Sequence, residues 1–218
     1  METENRNLLI KGAKVFGIEL DEKAVDAFDL YLRVLLKWNQ RINLTAIRSE
    51  KEIIVKHFLD SLSVYPYLPE SGSLLDVGSG AGFPGIPLKM VCPYLRMTLI
   101  DSVRKKVDFD RHAIRTLGLK EIEALHGRIQ DEAVHEQYEE HFDVVISRAF
   151  SDLQTFLNLS FPFLKTGGMA LAMKGSLKDQ EPPLPSEAGR TPYQLKGTHT
   201  FFLPFSQFER SILVFEKQ

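Results

Sequence analysis

Apolar residues along this chain follow two periods, and the change from one to the other divides it. Through the first 70 residues they recur at helical spacing: Val25, Phe28, Leu32 and Leu35 or Leu36 share a stripe that follows Asp21, a suitable N-cap, and ends near Asn39. A second helix is expected from Ser49, which with Glu52 has capping-box spacing, through Ile53, Ile54, Phe58 and Leu62, stopping before Pro66. The intervening WNQRINLTAIR contains Asn39, Asn43 and Thr45, whose side chains can bond nearby backbone and favour an ordered connection over continued helix.

From Ser73 onward, short apolar runs replace the stripe. Residues 73–77, 97–101, 122–126, 142–147 and 168–174 read as strands, separated by stretches long enough for crossover helices, so a parallel sheet covered on both faces is expected. Residues 180–192, with Pro182, Pro183, Pro185, Gly189 and Pro192, read as a loop. THTFFLPF and SILVFEK then follow as closely spaced strands, which favours an antiparallel hairpin. This is the plan of a class I S-adenosylmethionine-dependent methyltransferase: α/β, Rossmann-like, a mostly parallel seven-stranded sheet with a C-terminal antiparallel hairpin. Residues 1–70 would form a helical extension and residues 71–218 the methyltransferase domain.

The segment SLLDVGSGAGFPGIPL, residues 73–88, carries the most specific chemistry. Leu74, Leu75 and Val77 supply a buried strand, and Gly78, Gly80 and Gly82 remove the Cβ atoms that would keep a nucleoside from the main chain. Asp101 stands at the end of the next strand, where a carboxylate can accept both ribose hydroxyls of an adenosine. Gly80, Gly82 and Gly85 also fit the dinucleotide fingerprint G-x-G-x-x-G, so NAD is the competing cofactor. Two features weigh against it. Pro84 and Pro87 remove backbone N–H groups that a pyrophosphate would use, and Asp76 at the strand tip would repel phosphate but could hold a cation. S-adenosylmethionine carries an ammonium, a sulfonium and no phosphate. A purely structural reading, in which Asp76 caps a turn and the glycines ease packing, stands beside both.

Composition narrows the class. At 218 residues, 44% of them hydrophobic, the chain supports one good core and a small appendage. No run of about 18 apolar residues occurs, and METENRNLL lacks the pattern of a secretory signal, so a cytoplasmic protein is expected. The single cysteine, Cys92, excludes an internal disulfide, and no metal-binding pattern is present. The net charge of −2 does not announce a nucleic-acid binder, but its distribution is uneven. Six basic residues against two acidic ones fall in each of 33–56 and 104–120, whereas 121–143 holds eight acidic residues and only Arg128. Solvated helix faces and a phosphate-binding patch both fit this pattern.

Taken together, the motifs resemble a family, the 16S ribosomal RNA guanine-N7 methyltransferases known as RsmG or glucose-inhibited division protein B. The resemblance spans nearly the whole chain: WNxxxNLT at Trp38 to Thr45, HxxDS at His57 to Ser61, DVGSGAGFPGIPL at Asp76 to Leu88, and DS with a basic pair from Asp101 to Lys106. ISRAF at Ile146 to Phe150, KG at Lys174-Gly175 and R-x-x-x-V at Arg210 to Val214 complete it.

The resemblance implies methyl transfer from S-adenosylmethionine to N7 of a guanine in the 530 loop of bacterial 16S ribosomal RNA. The partner would be that RNA or the small ribosomal subunit, with no membrane or DNA partner, and the protein a monomer. The alternative is a small-molecule methyltransferase. By the family pattern Gly78 and Phe83 contact the cofactor, Ile129 and Gln130 lie against its adenine, and Arg148 closes the site; Asp76, Gly80 and Asp101 join this group from the residue reading above. On the RNA side the expected residues are Asn39, Arg41, Asn43, Arg48, His57, Arg104, Lys105, Phe150 and Lys174. His57 and Asp60, three apart on a helix, are expected to fasten the N-terminal helices to the rest. Guanine N7 has a lone pair and no proton, so no catalytic base is expected and rate comes from alignment. Asp108 and Asp110 depart from the apolar or basic pattern expected of the family there, which argues against that helix as an RNA-facing surface.

Overall fold

The computed structural model describes residues 1–148, 150, 152–177 and 192–218. The proline-rich segment expected as a loop at 180–192 lies outside them except for Pro192.

Helices α1 (Thr3–Val15) and α2 (Glu22–Asn39) come first. Asp21 caps α2 as expected, its side chain accepting from Ala24 N at 2.7 Å. The second predicted helix is a continuous rod in three parts: α3 (Glu50–Ile53), a π-helical turn (Ile54–Leu59) and α4 (Asp60–Leu62). Ser49 occupies the N-cap position, but its side chain makes no cap bond, and Glu52 pairs with Lys56 instead. The capping box is therefore right in position and absent as a bond.

The sheet comprises β1 (Gly72–Val77), β2 (Leu95–Asp101), β3 (Ile122–His126), β4 (Phe142–Ser147), β5 (Leu164–Lys174), β6 (Tyr193–Phe202) and β7 (Glu209–Lys217) in the order β3-β2-β1-β4-β5-β7-β6. β1 to β5 pair in parallel; β7 runs antiparallel to both β5 and β6. The order turns at β1, between β2 and β4, and a crevice opens there beyond the strands' carboxyl ends.

Alternation along the strands builds two cores. Leu74, Leu99, Val144, Ile146 and Leu171 face α1 to α4, α5 (Gly85–Val91) and α6 (Arg104–Leu117). Leu75, Val77, Val145 and Ala170 face α7 (Glu132–Tyr138) and α8 (Leu153–Ser160). Residues of α1, α2 and the 50–62 rod thus share one continuous core with the sheet. Tyr31 and Phe28 of α2 are fully buried, Tyr31 packs with Phe58 and Phe109 at 5.5 and 6.4 Å between ring centroids, and Trp38 meets Phe109 edge-on at 5.7 Å.

Candidate active site

The turn after β1 is built so that backbone, not side chain, forms its outer surface. Gly78, Gly80 and Gly82 take φ of +75°, +64° and +77°, a region open to glycine and costly for other residues. At Gly82 the interior is also full: a Cβ there would lie 2.4 Å from Ile86 Cδ1 and 2.8 Å from the Tyr31 hydroxyl. Gly78 N donates to Ile100 O at 2.8 Å, tying the turn to β2. Tyr31 donates its phenolic proton to Ala81 O, so α2 holds the turn from below.

Two buried acids support the same turn. Asp76 is fully buried; its Oδ2 accepts from Gly85 N at 2.8 Å, and burial pushes its carboxyl up to about 7. Asp110, also fully buried, accepts from the Ser79 hydroxyl at 2.8 Å and is raised well above the ordinary carboxylate range, again by burial first. Neither acid lines either of the two clefts at the carboxyl edge of the sheet. Asp110 thus belongs to the interior of α6, while Asp108 stays outside and pairs with Arg104 at 4.0 Å. The departure from the family pattern at Asp110 is thus that of a buried buttress, while Asp108 leaves an acid on the outer face of the helix, in a solvated ion pair.

Two clefts open at the carboxyl edge of the sheet. The first, about 430 Å³, is lined by Gly78, Asp101, Val103, Lys106, Ile129, Gln130 and Phe150 among others. Asp101 is fixed by Gly80 N on Oδ2 at 2.9 Å and Val103 N on Oδ1 at 2.8 Å, so its carboxylate is oriented before any ligand arrives. Bare backbone at Gly78, an acceptor at Asp101, an apolar wall at Ile129 and Phe150 and the amide of Gln130 fit an adenosine with its ribose: flat apolar ring, two hydroxyls, no phosphate. The residues present therefore suit S-adenosylmethionine.

The second cleft, about 380 Å³, is lined by Ile47, Lys56, His57, Asp60, Arg148, Met173, Lys174, Gly175 and Arg210. Asp60 accepts from Arg148 Nη1 at 3.1 Å and from Arg210 Nε at 2.9 Å, which binds the π-helical rod to the ends of β4 and β7. His57 sits in the π-helical turn with its ring stacked on Phe83 at 4.6 Å. Arg148 Nη2 lies 3.3 Å from His57 Nδ1, and a guanidinium can only donate; Nε2 therefore carries the proton and faces Thr45 Oγ1 at 2.8 Å. Burial, then the neighbouring Arg148 charge, lowers the His57 pKa to about 3, so the imidazole is neutral. Lys174 lines this cleft and donates to Phe150 O at the wall of the other, so one hydrogen bond links the two linings.

The predicted residues separate accordingly. Gly78, Asp101, Ile129 and Gln130 line the first cleft, joined by Phe150 from the RNA group. Gly80 acts on Asp101 through its N–H, and Asp76 and Phe83 lie beneath the turn. Arg148 lies in the second cleft, paired with Asp60 and not with Asp76 or Asp101, alongside His57 and Lys174. Asn39 is an internal fastener: Oδ1 accepts from Leu44 N and Thr45 N at 2.9 and 3.0 Å, and Nδ2 donates to Thr45 O at 2.9 Å. Arg41, Asn43 and Arg48 are exposed on the connection before α3, and Arg104 and Lys105 at the start of α6. Sequence reasoning missed Tyr31 and the inward turn of Asp110. The second was signalled, since Val107, Asp110 and Ile114 fall on one helical stripe.

A profile of the family described as rRNA small subunit methyltransferase G matches residues 24–212. Ribosomal RNA small subunit methyltransferase G of Acetivibrio thermocellus is 40% identical over 217 residues, covering 99% of this chain and 90% of that one. The protein of the same name from Geobacter metallireducens is 41% identical over 219 residues, covering 98% and 97%. Among solved structures, a SAM-dependent methyltransferase from Aquifex aeolicus superposes with a TM-score of 0.54 at 16% identity over 76% of this chain and 93% of that one. TYW2 of M. jannaschii, in complex with AdoMet, gives 0.52 at 17% identity over 68% and 70%. At those identities the likeness is one of fold alone. Sequence, sheet order and glycine turn agree, and the chain belongs to the rRNA small subunit methyltransferase G family.

Proposed function

We propose that this protein transfers a methyl group from S-adenosylmethionine to N7 of a guanine in the 530 loop of 16S ribosomal RNA. Residues 71–218 act as the methyltransferase domain and residues 1–70 as a helical extension that braces it. The carrying observation is a pair of unlike clefts whose linings are linked by the Lys174–Phe150 hydrogen bond, one suited to an adenosine and the other rich in cations, in a chain of this family. The donor supplies an activated methyl on a sulfonium sulfur. Gly78, Asp101, Ile129 and Gln130 hold and orient it; Arg148, Lys174 and Arg210 face the side from which a polyanion enters.

Among the described residues lining the two clefts, His57 is the one histidine. Both its ring nitrogens are engaged within the protein. N7 attack requires no base, because the nucleophilic lone pair is exposed and no proton leaves. What remains for the protein is alignment, worth up to roughly 7–11 kcal/mol in favourable intramolecular cases. We further propose a cytoplasmic monomer acting on the small subunit or its RNA, without membrane or DNA partners; among the described residues no helix is long and apolar enough to cross a membrane.

The test is transfer of labelled methyl to small ribosomal subunits from a strain lacking the gene, with the product base mapped. Label at one guanine N7 of the 530 loop supports the reading. Label on another base overturns the specificity, and label confined to ribonuclease-resistant small molecules favours a small-molecule methyltransferase.

A further inference from the structure

The connection between β6 and β7 displays aromatic rings where a soluble protein usually places polar residues. Phe205 and Phe208 are 54% and 44% exposed. Their exposure does not come from a loose segment. Leu203 is buried and anchors the turn; its N–H donates to Phe208 O at 2.9 Å, and Ser206 returns both its N–H and its hydroxyl to Leu203 O at 3.1 and 2.9 Å. Phe208 N donates to Ser206 Oγ at 3.2 Å, closing the knot. Phe205 holds φ +60°, a region sparsely populated by bulky side chains. A fixed turn thus presents two rings outward.

Its surroundings identify the occupant. Lys56 Nζ stands 4.6 Å from the Phe208 ring centroid, and Lys56 lines the second cleft together with Arg148, Lys174 and Arg210. Among the described residues Asp60 is the only acid in that lining, and the acids beside it are engaged, Glu52 with Lys56 and Glu209 with the Ser176 hydroxyl at 2.8 Å. Flat apolar rings bordered by cations suit a chain whose units combine a π-face with a phosphate, and suit an apolar protein segment poorly. Resting on the RNA reading above, we propose that the β6–β7 turn is a base-stacking platform for single-stranded RNA, with Phe208 as its principal ring. A nucleotide flanking the target would stack there while its phosphates face the cations of the cleft.

The test uses the full-length protein with Phe208→Ala, Phe208→Leu and Phe208→Tyr. Each is measured for affinity to a short single-stranded oligoribonucleotide, affinity for S-adenosylhomocysteine, and methyl transfer to small subunits. Stacking predicts that Ala and Leu weaken oligonucleotide binding about tenfold, that Tyr stays within about twofold of wild type, and that S-adenosylhomocysteine affinity is unchanged in all three. Wild-type binding by the Leu variant shows mere apolar contact and overturns the proposal, as does absence of oligonucleotide binding by the wild type. Weakened methyl transfer to small subunits with unaltered oligonucleotide binding assigns the rings to a protein contact instead and overturns the proposal. If the substitution series behaves as expected but the wild type leaves small subunits unmethylated, the reaction assignment fails and the stacking platform stands.

Discussion

Asp76 and Asp110 lie side by side in function, each with one carboxyl oxygen bonded to the glycine turn and the other buried without a partner. Burial disfavours their charged forms, so each keeps its proton to higher pH than an exposed acid. For Asp76 the window runs from about 4 in the unfolded chain to about 7 in the folded one. Across it the folded state holds a proton that the unfolded state has lost, so this residue makes stability fall as pH rises. The variant Asp76→Asn should therefore gain on the wild type between pH 4 and 7, by about 1.4 kcal/mol per pH unit at most, in denaturant titrations. A constant difference across that range would show that Asp76 is already ionised. His57 has the opposite sign: its pKa is lowered to about 3, and its contribution to stability is complete above about 6.5 and lost as pH falls toward 3. Ring resonances followed by NMR should show a neutral Nε2–H imidazole down to about pH 5, whereas a midpoint near 6.5 would contradict the buried arrangement with Arg148.

At the scale of elements, the helix α2 and the glycine turn behave as one unit through Tyr31. Tyr31→Phe keeps the stack on Phe58 and the tilted contact with Phe83 but leaves Ala81 O buried without its donor. A cost of about 1–3 kcal/mol is expected from denaturant midpoints, with weaker S-adenosylhomocysteine binding as the turn loosens. Unchanged affinity would mean that the turn is held by its glycines and β2 alone. Elements were unequally legible in the sequence. β3 and β4 have the bounds their apolar runs predicted, because a buried parallel strand is a short uninterrupted run ended by turn residues. β5 and β6 begin earlier than expected, at Leu164 and Tyr193, since a break in register, between Leu164 and Met169 in β5 and at Lys196 in β6, separates the first paired residues of each from the apolar run that follows. The π-helical turn at 54–59 had no signature at all: Ile53, Ile54, Phe58 and Leu62 satisfy an ordinary helical stripe, and only the ties of His57 and Asp60 to Arg148 and Arg210 distinguish the local winding.

For the molecule as a whole, the first 70 residues and the sheet share a core, so the boundary at residue 70 is one of architecture. Removing residues 1–70 would uncover Phe83, Ile86 and Phe109, and the remaining 71–218 is expected to lack cooperative unfolding and to bind S-adenosylhomocysteine poorly. A truncated chain that melts sharply and binds normally would contradict this. That the glycine turn and Asp101 come together at one cleft was readable, because both follow from local sequence at adjacent strand ends. The division of the remaining site residues between two clefts was not, because Arg148 and Phe150 are two apart in the chain yet line different cavities. The account depends most on which cavity holds the donor. Amide shift mapping by NMR during titration with S-adenosylhomocysteine tests this directly. Perturbations should gather at Gly78, Gly80, Asp101 to Val103 and Gly127 to Gln130, with NADH producing none. Perturbations centred instead on Lys56, His57 and Arg210, or an equal response to NADH, would contradict it.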